Sequence, residues 1–216
     1  MAAEPKGATR PKPPPKTRAD ADDRSRQTRG QVRKDQIIAT AIEMFAARGF
    51  RGTSIADLAD AVGMTHPGLL YYFGTKDRLL QEVVDTRQEN ERAGYLGQLE
   101  EPSIFRLEQV ARFVIDNAVL TRLYVVLASE NLDADDPLHD FFTKRYDRAR
   151  TLVHHVLKAD QARGEVRKDI DVEQIGIEVV SMLMGVEIQW LMDPTAIDLE
   201  AVIAHYVEGL HLRLAP

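Results

Sequence analysis

The sequence predicts an all-α fold, and three observations carry that prediction. Apolar residues recur at spacings of three and four through most of the 216 residues, while no alternating run of useful length appears. Helix punctuation is frequent: Thr53-Ser54, Thr65, Thr75, Asp171 and Asp198 are placed to cap helices, and Gly49, Gly63, Gly74 and Gly164 to stop them. There is no internal repeat, and cysteine is absent, so no disulfide framework or cysteine-zinc site competes as an organising device.

Residues 1–29 form an arm by composition, rich in Pro, Lys, Arg and Asp, with PKPPPK in its middle and almost no large apolar residue. Such a segment cannot offset the entropy of ordering and is expected to be disordered. The first helix is expected from about Val32 to Arg48, burying Ile37, Ala41, Met44 and Phe45. A short helix follows Thr53-Ser54, with Ile55, Leu58, Ala59 and Val62 on one face and Gly63 at its end. Thr65 caps another short helix, with Pro67 in its first turn, Leu69 and Phe73 facing inward, and Gly74 closing it. Thr75 caps the next helix, which starts at Lys76 and turns polar in DTRQENERAGY.

Two short helices joined by a glycine turn are a helix-turn-helix, whose second helix enters the DNA major groove with its first turns on base edges. Thr65, His66, Pro67, Gly68 and, a turn later, Tyr71 or Tyr72 occupy those places. The plain alternative is a helical hairpin in an ordinary core, and spacing alone does not separate the two. Net charge is −6 overall but is unevenly spread: +6 over 1–34, −2 over 35–77 and −10 over 78–216. Positive charge therefore gathers beside the candidate reader, where Arg24, Arg26, Arg29 and Arg33 are suited to phosphates or a minor groove.

The run from Ile37 to Leu80 resembles the N-terminal DNA-binding domain of TetR-family transcriptional regulators at Ala41, Phe45, Gly49, Phe50, Thr53, Ile55, Ala59, Gly63, Phe73, Lys76, Leu79 and Leu80. The resemblance implies a homodimeric all-α repressor: a three-helix domain at 30–77 that binds operator DNA, and a helical effector-binding and dimerisation domain at 78–216. It also implies that Lys76 meets the DNA backbone and that Thr53 sets the preceding helix on a phosphate. The family usually carries a tyrosine where this chain has Leu70 and a small residue where it has Pro67, so the phosphate role passes to Tyr71 or Tyr72. Expected DNA contacts are Arg33, Thr53, Ser54, Thr65, His66, Pro67, Gly68, Tyr71, Tyr72 and Lys76.

Beyond Pro102, helices are expected over 103–117, 119–131, 137–163, 172–192 and 198–213. The helix 172–192 is apolar on more than one side, so one face serves the core and another a partner. The ending from Gly176 to Leu210 resembles the C-terminal helices with which one subgroup of the family forms a four-helix dimer interface, giving a homodimer through 172–213. An effector pocket is expected between the helices 103–131, 137–163 and 172–192, with Phe113, Tyr124, Phe141, Tyr146, His154, Met182, Glu187 and Trp190 as candidate lining. For each, ordinary core packing is the competing reading.

Catalytic readings find no support. His154 and His155 diverge by about 100° on a helix and cannot chelate as an i, i+4 pair would. There is no glycine-rich phosphate loop or Gly-x-Ser-x-Gly elbow. Asp133, Asp135 and Asp136 lack the glycine and glutamate of a calcium loop and read as an acidic helix entrance. No cofactor, catalytic residue or metal ligand is expected. No apolar run is read as a membrane span, because Glu187 interrupts VVSMLMGV, and the N-terminus is not a secretory signal, so a cytoplasmic setting is expected. Three functions remain: a ligand-released operator-binding repressor; a DNA-binding regulator or activator without a small-molecule effector; and a helical interaction protein that does not engage DNA, which the acidic balance of 35–77 favours.

Overall fold

The computed structural model describes residues 18–91 and 102–216, with side chains over 29–86 and 102–216. Among the described residues there are nine α-helices and no strand. They are α1 (Arg18–Arg48), α2 (Ile55–Ala61), α3 (His66–Phe73), α4 (Lys76–Glu91), α5 (Glu108–Asp116), α6 (Ala118–Ser129), α7 (His139–Arg163), α8 (Val172–Met192) and α9 (Leu199–Leu214).

The chain divides into two compact units, Met1–Gln36 and Ile37–Pro216. In the first, α1 begins at Arg18, well ahead of the start expected near Val32. No proline or glycine lies between Pro15 and Gly30, so nothing there interrupts a helix. The arm expected over 1–29 is therefore helical from Arg18, and residues 1–17 of it lie outside the described residues.

The second unit is built on two hydrophobic clusters. One joins Ile37, Ala41 and Phe45 of α1, Leu58 and Ala59 of α2, Leu69 and Phe73 of α3 and Leu79, Leu80, Val83 and Val84 of α4 to Leu120, Leu123 and Leu127 of α6 and Phe142 of α7. The helix-turn-helix core thus runs without a break into α6. The other cluster holds Ile104 and Leu107 with residues of α5, α7, α8 and α9, among them Ala111, Leu157, Val179, Ile203 and Leu210.

Asp160 of α7 is fully buried beside this second cluster. Its carboxylate accepts the Ile104 amide at 2.8 Å and the Ser103 hydroxyl at 3.3 Å, and pairs with Arg163, so it ties the entrance of α5 to α7. Burial pushes its pKa above the usual carboxylate value, against the lowering effect of those partners. The folded state therefore holds the proton more tightly than the unfolded state does. The stability this contributes is complete below the ordinary carboxylate value and is lost as pH rises through the raised one. Asp160→Asn keeps an acceptor for Ile104 and removes the titration. Urea unfolding over a pH series is expected to show wild type at its most stable relative to this variant in acid, the advantage falling as pH rises through that window.

Among the described residues, α8 is long and apolar enough to cross a membrane by length and composition, with 21 residues and a mean hydropathy of 1.5. This corrects the expectation that Glu187 breaks the run sufficiently. The apolar surface of α8 is shared among three destinations here: Gly176, Val179 and Val186 are buried, Val180, Leu183, Met184 and Ile188 line a cavity, and Ile177 and Met192 are exposed.

Candidate functional site

The reading element is assembled by local rules. Ser54 caps α2 by accepting the Asp57 amide at 3.1 Å, and Asp57 returns an acceptor to the Ser54 amide at 2.9 Å. That hydrogen bonding to Ser54 holds the Asp57 carboxyl below its ordinary pKa. Gly63 turns the chain at φ +64°, a left-handed conformation that a side chain resists. Thr65 then caps α3 by accepting the Gly68 amide at 3.2 Å, with Pro67 in the first turn where its missing amide costs nothing. Leu69 and Phe73 anchor α3 from below.

What α3 leaves outward is polar or aromatic. Thr65, His66 and Pro67 are exposed, Gly68 is half-buried, and Tyr71 is 87% exposed. Tyr72 instead leans on the first hydrophobic cluster, its ring edge-on to Tyr71 at 5.8 Å. Of the two tyrosines that stood as replacements at the position after Leu70, Tyr71 is the one presented to solvent.

Two of the expected contacts also bond within the chain. Thr53 is 1% exposed, and its hydroxyl donates to the Gly49 carbonyl at 2.8 Å, so its side chain belongs to the frame and the exposed Ser54 occupies the surface. Lys76 turns its ammonium to the Phe50 carbonyl and lies 4.1 Å over the Phe50 ring, half-buried, with burial lowering its pKa. Arg33 lies in the other unit, where it donates to Gln36 at 3.0 Å.

A cavity of about 900 Å³ lies between α5, α6, α7 and α8, the helices the sequence suggested. Its wall includes Phe113, Tyr124, Tyr146 and Glu187 of the expected residues. Most of the rest is apolar, with Arg145 stacking its guanidinium on the Tyr124 ring at 4.1 Å. Burial raises the pKa of Tyr146, with the Arg145 charge opposing the shift and Glu187 adding to it. Such a wall suits an apolar molecule with a few polar atoms.

Phe141, His154, Met182 and Trp190 are corrections, since none lines this cavity. Phe141 stacks on Tyr124 at 6.2 Å from the side of the first cluster. His154 faces Glu173 at 3.8 Å. Met182 and Trp190 pack on the second cluster, and Trp190 borders a separate depression with Ala46, Val119 and Pro194. Helical phase accounts for Met182, which lies on the far side of α8 from Val180, Leu183, Met184 and Glu187. On α7, phase from Phe142, Tyr146, Ala149 and Val153 would have found Arg145, whereas His155 borders the cavity with no such signal. Asp136, just ahead of α7, also pairs its carboxylate with Arg51 at 2.6 Å. Among the described residues no group of three or more potential metal ligands occurs.

A capped pair of short helices with an exposed polar-aromatic second helix, set beside an all-α body with an internal cavity, defines a helix-turn-helix regulator of transcription. Residues 37–83 match the bacterial regulatory proteins of the tetR family, and residues 107–214 match the BetI-type transcriptional repressor C-terminal domain. The chain belongs to the TetR family and is a DNA-binding transcriptional regulator. It is 24% identical over 211 residues to the HTH-type transcriptional repressor KstR2 of Rhodococcus jostii, covering 90% of this chain and 93% of that one. It is 26% identical over 200 residues to the HTH-type transcriptional regulator TtgR of Pseudomonas putida, covering 86% and 94%. In fold it is similar to a TetR transcriptional regulator from Chloroflexus aurantiacus, with a TM-score of 0.70 at 20% identity over 87% of this chain and 98% of that one. A regulator from Saccharomonospora viridis in complex with choline gives a TM-score of 0.71 at 18% identity over 85% and 97%.

Proposed function

We propose that the chain acts in the cytoplasm as a homodimeric repressor, holding two α3 helices against successive major grooves of an operator and releasing them when a small molecule fills the cavity. The observation that carries the reading of DNA is the outer surface of α3, where Thr65, His66 and Tyr71 are exposed rather than packed into the core. Ser54 and the first turn of α3 supply the base- and phosphate-facing groups, while Thr53 and Lys76 hold the frame.

The cavity favours an effector over the effector-free alternative, since about 900 Å³ of mostly apolar space is large enough for a drug-sized molecule. That the relatives KstR2 and TtgR are named a repressor and a regulator, and that the Saccharomonospora viridis regulator carries choline, supports the same reading. Pairing is favoured by the outer faces of α8 and α9. Met192 is 80% and Leu212 is 88% exposed, and Ile177, Ile188 and Val202 are exposed beside them. Gly185 and Gly209 sit within these helices with nothing of this chain within 4 Å of where a Cβ would be. Helical glycine costs about 1 kcal/mol relative to alanine, and close approach of a second backbone offsets that cost.

The test is a mobility-shift titration of the full chain on the DNA upstream of its own gene, with random-sequence competitor. The expected result is one retarded species whose footprint has two half-sites about one helical turn apart. Equal affinity for the competitor would remove the reading.

A further inference from the structure

The helix that borders the cavity also holds the DNA reader directly. Leu120, Thr121, Tyr124 and Val125 of α6 face the cavity, while Leu123 and Leu127 belong to the core shared with α1–α4. At the end of the same helix stands Glu130. Its carboxylate accepts the Phe50 amide at 2.7 Å and the Arg51 amide at 3.2 Å, closing the turn between α1 and α2 from a point some eighty residues away. Those two amides lie in the α1–α2 turn, just ahead of the reader.

Around this contact the connection is tightly specified. Gly49 has φ +76°, and a Cβ there would fall 2.3 Å from a Glu130 oxygen, so only glycine leaves room for the carboxylate. Asn131 follows, buried, donating to the Leu127 carbonyl at 2.7 Å and accepting the Leu138 amide at 2.9 Å, which fixes the exit of α6. Asp136 then pairs with Arg51. Lys76 holds the Phe50 carbonyl from the α4 side. A displacement of α6 along its axis therefore reaches the α1–α2 turn directly through the Glu130 carboxylate, without passing through the polar stretch of α4.

We infer that Glu130 is the positioning residue that couples the cavity to the DNA reader: filling the cavity shifts α6 and draws its terminal carboxylate off the Phe50 and Arg51 amides. The inference rests on the reading of the cavity as the effector site. Hydrogen exchange of the full chain, read at these two amides with and without saturating anilinonaphthalene sulfonate as the cavity probe, tests it. In wild type the bound probe speeds exchange at Phe50 and Arg51 by about tenfold or more, as expected for loss of one charge-assisted hydrogen bond. In Glu130→Gln the same amides exchange faster without the probe, and the probe adds nothing. Glu130→Asp, which keeps the charge and shortens the reach, behaves likewise and guards against a folding defect in the first variant.

A probe that fluoresces in the cavity yet leaves the two amides unchanged, or speeds them equally in Glu130→Gln, overturns the coupling role alone. A probe whose fluorescence does not rise, or is not weakened by Met184→Trp in the cavity wall, removes the effector reading and the inference with it.

Discussion

Gly185→Arg is expected to leave the chain folded and to block the proposed pairing, giving a monomer that binds operator DNA about 10²–10⁴-fold more weakly than the unsubstituted chain, the factor lost when two linked sites act singly. The separation of fold from assembly follows from the space around the residue. Gly185 lies mid-way along α8, and nothing of this chain comes within 4 Å of an added Cβ, so the substitution meets no neighbour inside the protomer. Replacing glycine in a helix interior by a good helix former favours the isolated helix by up to about 1 kcal/mol. The same side chain brings bulk and an unpaired charge to the place where the partner's helices would approach, and burying such a charge costs several kcal/mol. Gel filtration, thermal unfolding and DNA titration together check this. A variant that stays dimeric would move the interface away from this face of α8, and one that unfolds would mean Gly185 serves the protomer's own core.

The legibility of this molecule in its sequence follows the range of the physics. Caps and glycine stops act over four residues, so α2, α3 and the turn between them are readable from Ser54, Gly63, Thr65 and Gly74. The end of α7, both ends of α8 and the start of α9 fall close to where Gly164, Asp171, Asp193 and Asp198 place them, whereas α5 begins at Glu108, later than the expected 103. The start of α1 is not legible in the same way. Low apolar content there suggests no helix, whereas an uninterrupted polar segment continues one from its neighbour.

Inside the cavity, aromatic and ionisable residues are candidates by type, but phase along α8 decides that Met184 rather than Met182 turns to the wall. The contact of Glu130 with Phe50 and Arg51 carries no local signal at all: a glutamate at a helix end is ordinary, and its partners are in a glycine turn far away in the chain. The resemblance to the TetR family locates the reader, and the structure adds that Thr53 and Lys76 are also tied to the Gly49 and Phe50 carbonyls.

Tyr71→Ala is expected to weaken operator binding by about 10- to 100-fold, which is about 1–3 kcal/mol at the scale of one good contact, while leaving thermal stability within about 0.5 kcal/mol. The physical ground is exposure. At 87% exposed, Tyr71 contributes almost nothing to burial, so its removal opens no cavity and orphans no buried donor. Tyr72 supplies the control, because its ring packs on the first cluster and Tyr72→Ala should lower stability as well as binding. His66→Ala separates specificity from affinity. Standing in the first turn of α3, it should change which sequences are preferred, whereas loss of a phosphate contact at Tyr71 should weaken all sites alike and leave the salt slope unchanged, since a neutral phenol displaces no counterion. If Tyr71→Ala instead redirects sequence preference, the tyrosine reads a base, and the phosphate role that falls to it here passes to another group on the reader.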